Sequence, residues 1–303
     1  MTHHPQNLLS RLSPQPPLPF EAAQAYEETV LGWAADAPLP AGIAVARDRA
    51  YGPDPQHRCD VYRSTDARDG APILIFWHGG GWTNGYKEYV AFMAPAVVGL
   101  GMVLVAPGYR LAPGHRLPAA FEDGLALTRH VIAHAADFGG RGDQIYLAGH
   151  SAGAHLAALV ALRRDEAGGA GIPPGAIRAC LPVSGIMDLH HPDPPAASLE
   201  ERIYSMVLSD AAHDAVMSPL CWTVGNTIPM YLSHGESDSA RVVHSNRRMA
   251  ALLARQPGPS QLHEEPGLDH FATHTCLRDP KAAWYQRLSG LLHAHRRLDP
   301  SAV

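Results

Sequence analysis

The sequence has few cysteines, and their spacing excludes a dense disulfide framework or a cysteine-based metal site. Among 303 residues there are four cysteines, which lie far apart and form no Cys-x-x-Cys pair. They are Cys59, Cys180, Cys221 and Cys276. We expect reduced thiols, as in a cytoplasmic protein. Residues 190–193 read His-His-Pro-Asp, which we interpret as a solvated loop, so no metal is predicted.

An excess of charge of one sign is also missing. Lys and Arg number 24 against 29 Asp and Glu, which gives a net charge of −5. Without a basic stripe we expect no nucleic-acid or membrane-surface partner, and a small-molecule substrate becomes the default. The sequence leaves the oligomeric state open, a homodimer included.

Long apolar runs are absent as well. The longest one, residues 71–77, is far shorter than the ~20 residues that a membrane-spanning helix needs. Residues 1–19 are rich in proline and polar side chains and lack the continuous apolar segment of a signal peptide. These absences predict a soluble, cytoplasmic protein.

Two glycine-framed motifs are present, each directly after a short apolar run. The first reads His-Gly-Gly-Gly-Trp at residues 78–82, and the second reads Gly-His-Ser-Ala-Gly at residues 149–153. In the second, the two glycines permit a sharp strand-to-helix turn that exposes the Ser151 hydroxyl. In the first, backbone N–H groups without side-chain cover can point at a carbonyl oxygen that becomes an oxyanion. Together the motifs predict a serine hydrolase.

Strands and helices alternate along the chain. Residues 145–148 form an apolar strand before the serine motif and residues 154–164 a helix after it, which is the setting that a nucleophilic serine requires. Residues 60–63 are predicted as the first strand. Further strands are predicted at 73–77, 102–106, 179–183, 229–234 and 261–265, and helices at 22–33, 89–100, 121–136, 242–254 and 282–293. Strands that are apolar throughout indicate a parallel sheet with helices on both faces.

The domain organisation predicted from this pattern is simple. Residues 1–50 are an N-terminal arm and helix, and residues 51–303 form one catalytic domain. Between 188 and 226 the alternation breaks into prolines, histidines and a short helical piece at 199–208. We interpret this segment as a lid over the strand ends, with a plain long connection as the alternative.

A reactive serine on a turn of this kind needs an acid and then a base, in the chain order Ser, Asp or Glu, His. The predicted strand at 229–234 runs into a turn that contains Glu236 and Asp238. We predict that Asp238 is the acid, with Glu236 as the competitor nearer the strand end. Asp188, which follows the preceding strand, is a second alternative.

The predicted base is His270, in a loop that begins with glycine after the last predicted strand. The chain has 19 histidines, so position must separate them. His263 belongs to the strand, and His274 begins a later turn or helix. His150, within the serine motif, and His155, one helical turn further on, are predicted to be packing residues.

The two motifs, with Tyr-Arg-Leu-Ala-Pro at residues 109–113, resemble those of hormone-sensitive-lipase-type esterases and of arylformamidases (kynurenine formamidases), both members of the α/β-hydrolase superfamily. The resemblance covers about residues 51–271. Three segments favour the arylformamidases: Tyr-Gly-Pro shortly before Asp-Val-Tyr at 51–62, and the runs at 149–156 and 183–189. Two features depart from them. Gly81 stands where arylformamidases often have tyrosine, and the 109–113 motif is at least as typical of the esterases.

The resemblance implies an α/β-hydrolase fold with a mostly parallel central sheet, helices on both faces, a small lid and no cofactor. It also implies three catalytic residues and three oxyanion-hole amides. These are Ser151 as nucleophile, Asp238 as acid, His270 as base, and the amides of Gly80, Gly81 and Ala152, with Gly79 serving the turn.

The implied reaction proceeds through an acyl-enzyme on a small acyl ester or an aryl formamide. The main prediction is an arylformamidase-like enzyme of the N-formylkynurenine type, in which Trp82 provides an apolar wall for the aryl leaving group. The alternative is a short-chain carboxylesterase of the hormone-sensitive-lipase type. An acyltransferase and a hydrolase-fold binding protein without turnover are more distant alternatives.

Overall fold

An eight-stranded sheet forms the centre of the computed structural model, which describes residues 11–36, 39–66 and 70–298. In space the strands follow the order β1-β2-β4-β3-β5-β6-β7-β8. They comprise Ile43–Ala50 (β1), Arg58–Ser64 (β2), Ala71–Trp77 (β3), Val103–Pro107 (β4), Gly140–His150 (β5), Ile177–Val183 (β6), Met230–Gly235 (β7) and Ser260–Glu265 (β8). β2 pairs antiparallel with β1 and β4, and every pairing from β4 to β8 is parallel.

Helices cover both faces of this sheet. They comprise Glu21–Asp36 (α1), Ala94–Gly99 (α2), Ala119–Ala133 (α3), Ala152–Leu162 (α4), Arg164–Gly169 (α5), Leu199–Arg202 (α6), Ala240–Leu253 (α7), Ala272–Thr275 (α8) and Ala283–Leu298 (α9). Short 3₁₀ segments span Lys87–Met93, Ala211–His213, Pro219–Trp222 and Cys276–Arg278, and a single π turn spans Ile203–Val207. Among the described residues no helix is long and apolar enough to cross a membrane.

The side chains of β3 show how one strand supports two cores. Ile73, Ile75 and Trp77 pack into the core that holds α3, α4 and α7. Leu74 and Phe76 pack on the opposite face with α2 and α9. Because successive side chains of a strand point to opposite faces, a central strand buried on both faces must be apolar at every position. This is the parallel sheet with helices on both faces that the sequence predicts.

Two sequence predictions are wrong in detail. The sheet begins at β1, Ile43–Ala50, whereas the sequence predicts the first strand at 60–63, which belongs to β2. β1 is the edge strand and pairs with β2 alone in the sheet order. Its exposed residues include Arg47, Asp48 and Arg49, so the strand carries no continuous apolar signal. The predicted helix at 89–100 is a 3₁₀ segment followed by α2, because Pro95 in the first turn of α2 prevents one continuous helix.

The segment predicted as a lid, residues 188–226, contains only short helical pieces. α6 and the π turn lie where the sequence predicts a helical piece. The strand-like bridge between Leu117 and Leu208 ties its middle to the loop before α3. Arg241, at the start of α7, donates to the carbonyl oxygens of Asp188 and Leu189 at 3.4 and 3.2 Å. The segment is therefore fixed to the domain at several points.

Candidate active site

Ser151 lies in the sharp turn between β5 and α4. Its backbone has φ 53° and ψ −117°, a conformation that a non-glycine residue rarely adopts and that projects the side chain out of the chain path. The turn is tight enough that a Cβ atom on Gly149 would lie 2.4 Å from the carbonyl carbon of Gly153. A Cβ atom on Gly153 would lie 2.2 Å from the backbone oxygen of Trp77 on β3. Both flanking glycines are thus required by close backbone approach.

The structure brings the three predicted catalytic residues into one hydrogen-bonded chain. His270 Nε2 lies 3.0 Å from Ser151 Oγ, and His270 Nδ1 lies 2.9 Å from Asp238 Oδ1. Asp238 follows β7 and His270 follows β8, so both loops leave the sheet at the edge where β5 ends at the serine. This arrangement leaves Nε2 facing the hydroxyl and Nδ1 facing the carboxylate.

The Asp238 side chain is fully buried. Burial acts to raise the pKa of this carboxyl, but the hydrogen bond and the charge of His270 act in the opposite direction, and the net shift of the pKa is downward. The carboxylate therefore stays ionised at neutral pH and holds the Nδ1–H of His270. A neutral His270 oriented in this way has its Nε2 lone pair directed at the serine.

The two alternative acids lie elsewhere. Glu236 Oε2 accepts a hydrogen bond from the backbone N–H of Gly267 at 2.7 Å. Asp188 forms an ion pair with Arg248. Neither contact involves His270, which contacts the Asp238 carboxylate instead.

The first glycine motif forms a tight turn beside the serine. Gly80 has φ +126°, and a Cβ atom there would lie 2.0 Å from the backbone oxygen of Asn84. Its own carbonyl accepts from the N–H groups of Thr83 and Asn84 at 3.2 and 2.9 Å. Gly80 and Gly81 both face the cavity at Ser151. Ala152 is the first residue of α4, where a backbone N–H has no intrahelical acceptor and can donate to a ligand.

A cavity of about 330 Å³ opens at Ser151 and His270. Most of its wall comes from four parts of the chain: the glycine loop (residues 78–85), the N-terminal arm with α1, the segment 199–207, and the start of α7. The lining residues beyond the serine turn are Leu18, Pro19, Phe20, Ala23, Tyr26, Gly80, Gly81, Trp82, Thr83, Tyr89, Ile186, Leu199, Glu200, Arg202, Ile203, Val207, Ser239, Arg241, Val242 and Phe271. Most of these side chains are apolar.

The N-terminal arm is fixed directly to the glycine loop. Gln15 accepts from the N–H of Gly85 at 2.7 Å and donates to its carbonyl at 2.8 Å. Asn84 donates its side-chain N–H to the carbonyl of Pro16 at 2.6 Å. The sequence analysis missed this wall, because the arm carries no motif and contacts residues about seventy positions away. The only sequence signal was the helical pattern that now proves to be α1.

Trp82 and His155 form a second pair beside the cavity. The Trp82 indole N–H donates to His155 Nδ1 at 3.3 Å, and His155 Nε2 lies 2.6 Å from the carbonyl oxygen of Met217. Since the carbonyl can only accept, Nε2 carries the proton and Nδ1 is the acceptor. His155, predicted only to pack, also orients the Trp82 ring that lines the cavity.

His150 also does more than pack. Its Nε2 donates to the backbone oxygen of His270 at 2.8 Å, and its ring stacks on His274 with centroids 5.0 Å apart. Burial lowers the pKa of His150 well below the ordinary value for histidine. The ring is therefore neutral, and it holds the loop that carries His270.

The comparisons with known proteins agree with this geometry. Residues 74–274 match the family described as alpha/beta hydrolase fold. The carboxylesterase NlhH of Mycobacterium tuberculosis (strain H37Rv) is 30% identical over 239 residues, which cover 74% of this chain and 73% of that protein. Esterase LipQ of the same strain is 30% identical over 225 residues, which cover 69% of this chain and 53% of that protein.

Two solved structures share the fold. The thermostable carboxylesterase EstE1, cloned from a metagenomic library, superposes with a TM-score of 0.72 at 22% identity, over 93% of this chain and 97% of that one. An inhibited esterase B from Lactobacillus rhamnosis superposes with a TM-score of 0.76 at 19% identity, over 92% and 96%. The chain therefore belongs to the α/β-hydrolase fold family and is a serine hydrolase with carboxylesterase relatives.

Proposed function

We propose that this protein is a carboxylesterase that cleaves small acyl esters through an acyl-enzyme on Ser151. The observation that carries the proposal is the hydrogen-bonded chain from Ser151 through His270 to Asp238 at the floor of a mostly apolar cavity. The similarity to carboxylesterases supports the ester as the bond that is cleaved.

In the first step, Ser151 Oγ attacks the ester carbonyl carbon while His270 Nε2 takes the hydroxyl proton. The 3.0 Å separation of these atoms permits direct transfer. Asp238 stabilises the imidazolium that forms, through the 2.9 Å contact to Nδ1. His270 then returns the proton to the departing alkoxide oxygen, and the acyl group stays bound to Ser151.

The negative charge that develops on the carbonyl oxygen needs donors. We propose the backbone N–H groups of Gly80, Gly81 and Ala152 for this role, since the first two face the cavity and the third lies in the first turn of α4. In the second step His270 removes a proton from water, the hydroxide attacks the acyl carbonyl, and Ser151 leaves with that proton. No cofactor is needed for either step.

The cavity favours small substrates. Its volume of about 330 Å³ lies at the lower end of the ~300–1,000 Å³ typical of small-molecule sites. Trp82 and Phe20 line it with apolar surface for the acyl or the leaving group. We therefore expect acetate to hexanoate esters to be hydrolysed faster than long-chain esters.

The main prediction from the sequence, an arylformamidase, is the less supported of the two functions. The relatives described above are named as esterases, and the short-chain carboxylesterase given as the alternative fits them better. The segments that favoured an arylformamidase, at 51–62, 149–156 and 183–189, lie at strand ends, in the adjoining loops and in the first turn of α4. These segments therefore indicate the shared fold and say little about which leaving group the enzyme accepts.

A hydrolysis panel tests the proposal. p-Nitrophenyl esters from acetate to decanoate are compared with N-formylkynurenine, with Ser151→Ala as the control for spontaneous hydrolysis. We expect kcat/KM to be greatest for acyl chains of about two to six carbons and to exceed the value for the formamide. Deformylation faster than hydrolysis of every ester would overturn the esterase proposal in favour of the arylformamidase. Equal rates for wild type and Ser151→Ala would remove the serine from the reaction.

A further inference from the structure

Beyond the catalytic residues, the lining of the cavity contains two arginines and one glutamate, Arg202, Arg241 and Glu200. Glu200 and Arg202 lie on α6, and Arg241 lies in the first turn of α7. A cavity for an uncharged ester has no need of guanidinium groups. Their presence in an otherwise apolar lining therefore needs an explanation.

Arg241 is largely withdrawn from solvent, with 14% of its side chain exposed. Its Nη2 donates to the backbone oxygens of Asp188 and Leu189. Its Nη1 lies 3.4 Å from Glu200 Oε1, within ion-pair range. Yet Nη1 is buried and forms no hydrogen bond to any residue in the described part of the chain. A buried guanidinium nitrogen whose acceptor lies only at ion-pair distance can still donate to a ligand oxygen that comes closer.

The charge balance points in the same direction. Burial lowers the pKa of Arg241, and the Glu200 carboxylate only partly offsets that effect. Arg202 Nη2 lies 3.5 Å from Thr83 Oγ1. Thr83 belongs to the glycine loop, so the Arg202 side chain reaches from α6 to that loop. The wall thus carries two cations against one carboxylate.

We propose that Arg202 and Arg241 form an anion subsite, and that the natural substrate is an ester with a carboxylate at the end remote from the scissile bond. This inference rests on the proposed esterase function and names its substrate class. A guanidinium binds a carboxylate through paired, charge-assisted hydrogen bonds. Glu200 leaves the wall with a single net positive charge, which matches one carboxylate better than a phosphate dianion.

Matched pairs of substrates test the proposal. In the first pair the carboxylate is on the leaving group: 4-acetoxybenzoate is compared with the neutral, similarly shaped 4-acetoxybenzamide. In the second pair it is on the acyl group: the p-nitrophenyl monoester of adipic acid is compared with its methyl ester. In at least one pair we expect kcat/KM of the wild type to favour the charged member by about tenfold or more, which corresponds to one charge-assisted contact.

Variants assign the effect to the arginines. Arg241→Gln and Arg202→Gln are each expected to abolish most of that preference, because each raises KM for the charged substrate much more than KM for its neutral partner. Arg202→Gln keeps the test valid if Arg241→Gln unfolds, because Arg202 makes fewer contacts. Arg247→Gln is the matched control, since Arg247 lies on the same helix with 59% of its side chain exposed and pairs with Glu264 outside the cavity. It is expected to leave the preference unchanged.

A second readout separates this inference from the proposed function. Binding of 4-hydroxybenzoate or 4-hydroxybenzamide is measured by how far each protects Ser151 from a fluorophosphonate, which requires a reactive serine but no ester turnover. Stronger protection by the carboxylate, lost in Arg202→Gln, supports the subsite even where none of these esters is hydrolysed. If neutral esters are hydrolysed and neither charged member is preferred, the esterase proposal stands and the anion subsite is overturned. An equal loss of kcat/KM for charged and neutral substrates in both arginine variants would also overturn the anion subsite.

Discussion

The two sides of the cavity are built differently. On the catalytic side, Gly80, Ser151, Asp238 and His270 follow β3, β5, β7 and β8, so the parallel sheet brings their loops to one edge. On the opposite side, the arm with α1 and the segment 199–207 are held by side-chain contacts, such as those of Gln15 with Gly85 and of Arg241 with Glu200. The sheet therefore determines the chemistry, whereas segments distant in sequence determine what fits against it.

This contrast predicts that changes on the catalytic side act on kcat. Ser151→Ala removes the nucleophile and His270→Ala removes its base, and each is expected to lower kcat by on the order of 10⁴ or more. Steady-state kinetics with p-nitrophenyl butyrate measures the loss. The melting temperature of both variants serves as the control and should stay near that of the wild type. Full activity in a folded variant would exclude that residue from the mechanism.

The choice of acid gives the next largest effect. Asp238→Asn keeps the shape of the side chain but removes the charge that stabilises the imidazolium and fixes its Nδ1–H, so kcat should fall by about 10⁴. Glu236→Gln is the matched control, because Glu236 follows the same strand but contacts the backbone of Gly267. Its kcat is expected to remain within about threefold of the wild type. The opposite ranking would transfer the acid role to Glu236.

The catalytic side was accessible to sequence analysis for a physical reason. Ser151 has φ 53° and lies between glycines that no other residue can replace, so the turn has a recognisable sequence motif. The chain order of the acid and the base follows from the parallel sheet. Asp238 was harder to select, since Glu236 and Asp188 also follow strands. Only the side-chain geometry separates them.

The other side of the cavity left no comparable signal. Gln15 contacts Gly85 and Pro16 contacts Asn84, in each case about seventy positions away along the chain, and no local pattern in the arm encodes these contacts. β1 was missed because an edge strand tolerates charged residues such as Arg47 and Asp48. In the sequence, Arg202 and Arg241 do not differ from other helical arginines. Only the fold shows that both line the same cavity.

Buried neutral histidines beneath the catalytic side predict a loss of stability in acid. Burial lowers the pKa of His78 and of His155 to about 4 and that of His274 to about 3, and it lowers the pKa of His150 well below 6.5. Between pH 6.5 and these values the unfolded chain binds protons that the folded chain does not. The free energy of unfolding should therefore fall as pH falls, by up to about 1.4 kcal/mol per pH unit for each histidine.

Denaturant unfolding at pH 7.5, 6.0 and 5.0 measures this dependence. His274→Phe retains a planar ring against Phe76 and His150 and is expected to reduce the slope by about 1.4 kcal/mol per pH unit near pH 5. His293→Gln changes an exposed histidine and should leave the slope unchanged. A stability that does not vary between pH 7.5 and 5.0 would contradict the assignment of neutral, buried rings.

The smallest expected effect belongs to the arm. Phe20→Ala removes apolar surface that lines the cavity, although 40% of this residue is exposed to solvent. The partial burial predicts an increase of KM for aryl esters of about three- to tenfold with kcat nearly unchanged. Val224→Ala is the control, since Val224 is 80% exposed and is not among the lining residues. If Phe20→Ala lowers kcat and leaves KM unchanged, the arm acts on the chemical step. The contrast between a catalytic side that determines kcat and an opposite side that determines KM would then fail.

Covalent labelling tests the central claim most directly. Wild-type protein is incubated with a fluorophosphonate and digested, and the modified peptide is identified by mass spectrometry. A serine activated by the 3.0 Å contact to His270 should give one adduct, on Ser151, with labelling strongly slowed in His270→Ala and at the wild-type rate in Glu236→Gln. Absence of an adduct on Ser151 in folded wild-type protein, or equal labelling of the His270→Ala variant, would contradict the account.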